Sequence, residues 1–114
     1  MDKQARREAV RDYKERKAQP GVFVVRCAAT GEAWVGTSRN LDQQQNRDWF
    51  ILKQRSHMNK ALQAAWTAHG ETAFSFEAVE LVDDEGLTPV LLDKRLKDRA
   101  EHWRDTLSAS KIVG

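Results

Sequence analysis

Pro20 and Gly21 open an apolar run, Val22-Phe23-Val24-Val25, which gives way to Ala29-Thr30-Gly31-Glu32 and resumes as Ala33-Trp34-Val35 before Gly36. Two β-prone segments separated by a few residues of turn chemistry that include a glycine predict a hairpin. A hairpin this apolar is buried, so the rest of the chain must supply what covers it.

At 114 residues the chain is expected to form one domain with a modest core. A mean hydropathy of -0.70 and 32% charged residues suit a soluble protein. No apolar stretch approaches membrane-spanning length, and the N-terminus has the pattern of a charged helix rather than a signal peptide. The single cysteine, Cys27, cannot form an internal disulfide, which fits a reducing cytoplasm. Its place in the first strand marks it as a core residue rather than a nucleophile. The net charge of +2 does not announce a nucleic-acid binder. Residues 1–19 carry seven Lys/Arg against four Asp/Glu, a mildly basic segment that could touch phosphate or form a solvated face.

Residues 1–19 lack Gly and Pro and favour a charged helix with a thin apolar stripe. A second helix is expected from about Leu41 to Gln54, with Asn40 and Gln43 as a capping pair and Leu41, Gln45, Trp49 and Leu52 on one side. Gln44 and Arg47 fall on another face. A short helix follows from Lys60 to His69, with Ala61, Leu62, Ala65 and Trp66 inward and Gly70 ending it. Ala73 to Val82 alternates around Phe74 and Phe76 and reads as a third strand. Pro89 starts a last helix whose stripe is Leu92, Leu96, Ala100, Trp103 and Leu107. Residues 108–114 read as a loose tail. The fold class is therefore α/β (α+β), a single domain over residues 20–107 with a small three-stranded antiparallel sheet flanked by helices and an extra N-terminal helix.

Gly-apolar-aromatic followed by aromatic-apolar-Gly resembles the signature of the GIY-YIG nuclease family. The resemblance extends through Ser38-Arg39-Asn40-Leu41, then His57 with Leu62-Gln63 and Trp66, His69-Gly70, and Phe74-Ser75-Phe76. It covers residues 21–107 and implies that family's fold. It further implies metal-dependent hydrolysis of DNA phosphodiesters, with Mg²⁺ as cofactor and DNA as partner. The family uses two tyrosines, an arginine, a histidine and a metal-binding glutamate. A phenol can take a proton, an arginine can stabilise phosphorane charge, and a carboxylate can hold the metal.

The resemblance carries these roles onto Phe23 and Trp34 for the tyrosines and His57 for the histidine. The arginine position falls on Gln44, with Arg47 one turn later as a substitute. The glutamate position falls on Ala100 or Glu101, depending on which aromatic Trp103 aligns with. Helical phase favours Ala100 and turns Glu101 outward. Glu77 is a possible replacement carboxylate, while His69 and His102 read as ordinary surface residues. Phe23 has no hydroxyl, and the Trp34 indole donates but cannot act as a base.

The sequence thus points to a GIY-YIG-type endonuclease domain with a weakened catalytic set. Two alternatives stand beside it. One is a module that binds nucleic acid without cutting it, through Arg39, Arg47, Arg55 and Lys60. The other is a protein-interaction domain, which the nearly balanced charge permits.

Overall fold

The structure, a computed structural model, describes residues 18–112. The helix expected over residues 1–19 lies almost wholly outside them. The hairpin is present: β1 (Gly21–Cys27) pairs antiparallel with β2 (Ala33–Ser38), with Val24 opposite Val35 and Val25 opposite Trp34. The turn closes through the Cys27 N–H to the Glu32 carbonyl at 2.9 Å and the Gly31 N–H to the Cys27 carbonyl at 2.8 Å. Gly31 sits at φ 79, a conformation that glycine adopts without steric cost.

Helix α1 (Leu41–Lys53), helix α2 (Lys60–His69) and a 3₁₀ turn (Glu71–Ala73) lead into β3 (Phe74–Leu81). Strand β3 lies antiparallel on the other side of β1, with one register shift between Val22 and Phe23. Helix α3 (Pro89–Leu107) follows, and then a short strand β4 (Ser110–Lys111). The sheet order is β3-β1-β2-β4, four strands rather than three.

The extra strand comes from the tail expected to be loose. Ser110 and Lys111 pair parallel with Trp34 and Val35, and Ile112 is buried. An apolar Ile with an open strand edge beside it has both a partner for its backbone and a place for its side chain.

Pleating sends alternate residues of the hairpin to opposite faces. Phe23, Val25, Cys27 and Trp34 meet Leu41, Trp49 and Leu52 of α1 and Leu62, Ala65 and Trp66 of α2. Val22, Val24 and Val35 meet Ala100 of α3, with Trp103 and Leu107 alongside. The hairpin is covered on both faces, which is why its apolar runs are continuous. Burying each large side chain in full contributes roughly 1.5–3 kcal/mol.

Three local expectations differ. Asn40 makes no side-chain cap; the first N–H of α1, that of Leu41, goes instead to the Gln19 carbonyl at 3.0 Å. Gln45 and Ala61 are exposed, because α1 turns Asp48 inward and α2 needs only Leu62, Ala65 and Trp66 to cover the sheet. Trp103 is half-buried rather than core, since its indole N–H reaches the Glu80 carboxylate at 2.8 Å near the helix edge.

Candidate functional site

The site begins at Gly36, which pairs with Phe23 across the hairpin. A Cβ at Gly36 would lie 2.6 Å from Cζ of Phe23 and would also collide with Ile112. Only glycine permits that approach, and its missing side chain lets the Phe23 ring pack directly against the β2 backbone. Pairing with β4 ends at Val35. Beside Gly36 and Thr37 lies a cleft of about 350 Å³, bounded by α1, α3 and β4.

On the α1 side the cleft is lined by Gln44 and Asp48, four residues apart and hence on one helical face. Asp48 is buried and doubly held. Its Oδ2 accepts from the Gln44 amide at 3.0 Å, and its Oδ1 lies 3.2 Å from Nε2 of His57. The Asn59 N–H donates to His57 Nδ1 at 3.0 Å, which assigns the imidazole proton to Nε2 and makes His57 the donor to Asp48. The Gln63 side-chain oxygen accepts from the His57 N–H at 3.0 Å, fixing the loop.

Asn59 continues the chain of contacts. Its oxygen caps α2 at the Leu62 N–H, 2.9 Å away, and its amide nitrogen donates to the carbonyls of Lys111 and Ile112, each at 3.0 Å. One polar relay therefore runs from Gln44 through Asp48, His57 and Asn59 to β4, the strand that walls the cleft.

From α3 the cleft receives Asp93, Leu96, Lys97, Ala100 and Arg104, from β4 Lys111, and from the residue after it Ile112. Asp93 is neutralised by Arg39, whose guanidinium straddles both carboxylate oxygens at 2.6 and 3.1 Å. That hydrogen bond and charge hold the Arg39 pKa above its ordinary value. Lys97, Arg104 and Lys111 have no ion pair among the described residues. On the far side of α3, Glu80 accepts from Arg99 at 2.9 Å and from Trp103. The Arg99 hydrogen bond, helped by Trp103, holds the Glu80 carboxyl below the usual carboxylate value against the opposing effect of burial.

The expected site residues divide sharply. Phe23, Gln44 and Ala100 line the cleft. Trp34 does not; it is 2% exposed, stacked on Phe74 at 6.4 Å in the core. His57 lies behind Asp48, buried, and touches the cleft only through that carboxylate. Arg47, Arg55 and Lys60 are exposed and do not line the cleft, and Arg39 reaches its rim only through Asp93. Glu101 is exposed and outside the cleft, because one step of 100° beyond Ala100 turns it to solvent. Glu77 is spent on Arg26 at 3.2 Å.

The structure brings in Asp48, Lys97, Arg104 and Lys111, none of which sequence reasoning singled out. A signal was available on α3. Asp93, Lys97, Ala100 and Arg104 recur at helical spacing on one face, beside the apolar stripe.

The donor set does not fit a Mg²⁺ site. Ala100 offers no ligand, Asp48 is engaged by His57 and Gln44, and Asp93 is engaged by Arg39. Among the described residues no group of three or more His, Cys, Asp or Glu could hold a metal ion. No helix among them is long and apolar enough to cross a membrane.

A β hairpin at the centre of a small sheet, two helices on one face and a long helix on the other define a GIY-YIG-like fold. Two solved structures share it. One is the catalytic domain of the homing endonuclease I-TevI, at a TM-score of 0.68 and 17% identity over 83% of this chain and 99% of that one. The other is the catalytic domain of the intron endonuclease I-TevI with a glutamate-to-alanine substitution, at a TM-score of 0.66 and 19% identity over 79% of this chain and 84% of that one. No family model and no curated protein matches the sequence.

Proposed function

We propose that this chain is a GIY-YIG-type nuclease domain that holds a DNA backbone in the cleft beside Gly36, with its hydrolytic step weakened or lost. The observation that carries the reading is the convergence of Lys97, Arg104 and Lys111 on a cleft floored by Phe23 and Ala100. Three cations with no ion pair among the described residues suit phosphate. Phe23 and Ala100 on that floor offer neither a phenol to accept a proton nor a carboxylate for a metal. The carboxylates that line the walls, Asp48 and Asp93, are held by Gln44, His57 and Arg39. The likeness to an endonuclease catalytic domain supports nucleic acid as the partner. Arg47, Arg55 and Lys60 would add only peripheral attraction from exposed positions.

The test pairs a cleavage assay with a binding assay. Plasmid nicking at micromolar protein with Mg²⁺ or Mn²⁺ is expected to give no cleavage that EDTA abolishes. Removal of a single charge-stabilising donor costs about 10²–10³ in rate, and here several positions have changed. Fluorescence anisotropy on a labelled duplex is expected to detect binding at 50 mM salt. For three phosphate contacts, affinity should fall roughly 40-fold by 200 mM. EDTA-sensitive cleavage lost in Asp48→Asn would restore a working nuclease. Binding that ignores salt, or no binding at all, would favour the protein-interaction alternative.

A further inference from the structure

The cleft's size and charge specify more than a backbone. It holds about 350 Å³, the low end of the range for small-ligand pockets and enough for about one nucleotide unit. It is bounded by α1 on one side, α3 on the other, and β4 with Ile112. A duplex tracked along its backbone would meet a row of cations on an open face; here the cations come from two walls of one recess, α3 and β4, while α1 contributes Gln44 and Asp48.

Within that recess Lys97, Arg104 and Lys111 face one unneutralised carboxylate, Asp48, because Asp93 is already paired with Arg39. Two positive charges remain in excess. An internal phosphodiester brings about one negative charge. A terminal phosphomonoester brings about 1.5 to 2 at neutral pH and three strong acceptor oxygens. The floor beneath the cations is apolar, formed by the well-buried Phe23, Leu96, Ala100 and Ile112, so it offers no competing polar partner to a nucleoside carried in by its phosphate. Lys111 is also pinned, since Asn59 binds the carbonyls of both Lys111 and Ile112.

We infer that the cleft recognises a nucleotide carrying a terminal phosphate rather than an internal stretch of strand. This deepens the backbone-binding reading and rests on it. The shared chemistry, a phosphomonoester on a nucleoside, could come from a strand end or from a free nucleoside monophosphate.

The experiment compares the full chain's affinity for one internally labelled oligonucleotide in three forms, with a 5′ phosphate, with a 3′ phosphate and with neither, by anisotropy at 50 mM salt. Competition by a nucleoside monophosphate and by inorganic phosphate accompanies it. One phosphorylated form is expected to bind at least tenfold more tightly than the unphosphorylated strand, the increment of one good charge-assisted contact. Arg104→Gln and Lys97→Gln should each erase most of that preference while the thermal melt stays cooperative.

The competitors separate the sources. A monophosphate that competes as well as the phosphorylated strand identifies the free nucleotide; a much weaker one identifies the strand end. Either supports the inference, provided inorganic phosphate alone competes poorly. Equal affinity for all three strands overturns the inference and leaves backbone binding standing. No salt-sensitive binding to any strand overturns both. If the glutamine variants unfold, Lys111→Gln on the surface strand carries the same test.

Discussion

On the side of the sheet covered by α1 and α2, aromatic rings form an unbroken chain. Phe23 stacks on Phe76 at 4.8 Å, Phe76 meets Trp49 at 6.1 Å, Trp49 meets Trp66 at 5.3 Å, and Trp66 meets Phe74 at 5.2 Å, which leads to Trp34. On the α3 side no aromatic ring is fully buried: Val22, Val24, Val35 and Ala100 form one cluster, and Val82, Leu92 and Leu96 another. The outer edge of that side is held by a polar clamp, Glu80 with Arg99 and Trp103. The difference teaches where stability and recognition are kept apart. One face concentrates apolar burial in large rings, while the cleft with its cationic rim opens at the β2 edge between α1 and α3, where Gly36 and Ala100 leave room beside the end of the ring chain at Phe23.

The largest effect should come from breaking the ring chain. Trp66→Ala removes a buried indole with two ring contacts and should cost about 3–5 kcal/mol. Trp103→Ala removes a half-buried indole and one hydrogen bond, and should cost only about 1–2 kcal/mol. Urea melts of the two variants beside the parent chain decide this. Equal losses would erase the distinction between the faces.

The ring chain was legible in the sequence and the cleft was not. Apolar runs bounded by Gly and Pro announce a hairpin, and the alternation at Phe74 and Phe76 announces its neighbour, because burial imposes those patterns locally. Strand β4 escaped because two residues have no periodicity to read; Ile112 is the only clue, and it becomes one only when Gly36 stands beside it. Asp48 escaped for a related reason. A carboxylate next to Trp49 looks like the polar side of an amphipathic helix until a histidine nine residues later folds onto it. In the sequence Arg39 suits a phosphate contact of a nucleic-acid-binding module, because its carboxylate partner Asp93 lies 54 residues away. Helical phase, by contrast, placed Ala100 inward and Glu101 outward correctly, since it depends only on neighbours within the same helix.

The polar clamp gives the α3 face its own pH response. The Glu80 carboxyl is held below the usual carboxylate range, first by the Arg99 hydrogen bond. A group depressed in the folded state contributes stability that is full above its unfolded pKa and lost as pH falls through the folded one. The parent chain should therefore exceed Glu80→Gln in urea midpoint at pH 7, with the gap closing as pH falls below the ordinary glutamate value of about 4.3. The gap should be modest, because the Glu80 and Arg99 side chains are 26% and 40% exposed and solvent screens the pair. A gap that persists unchanged at pH 2 would mean Glu80 acts through packing rather than charge, and the two faces would differ less than the clamp suggests.

The smallest effect belongs to Glu101. Ala100 packs against Val22, Val24 and Val35, and the next residue is carried 100° around α3 into solvent. No hydrogen bond or ion pair among the described residues involves the Glu101 side chain. Replacing it with Ala removes an exposed charge, so the stability should stay within about 0.5 kcal/mol of the parent chain. Nucleic-acid affinity should hold or rise slightly, because one negative charge leaves the surface. Melts and anisotropy on the same preparation give both numbers, and titration with Mn²⁺ adds a third. A Glu101→Ala chain that loses more than about 1 kcal/mol, or that loses divalent-metal binding the parent possesses, would put the outward side of α3 to work. Recognition would then no longer be confined to the cleft, and the separation of a stabilising face from a binding face would have to be redrawn around α3 itself.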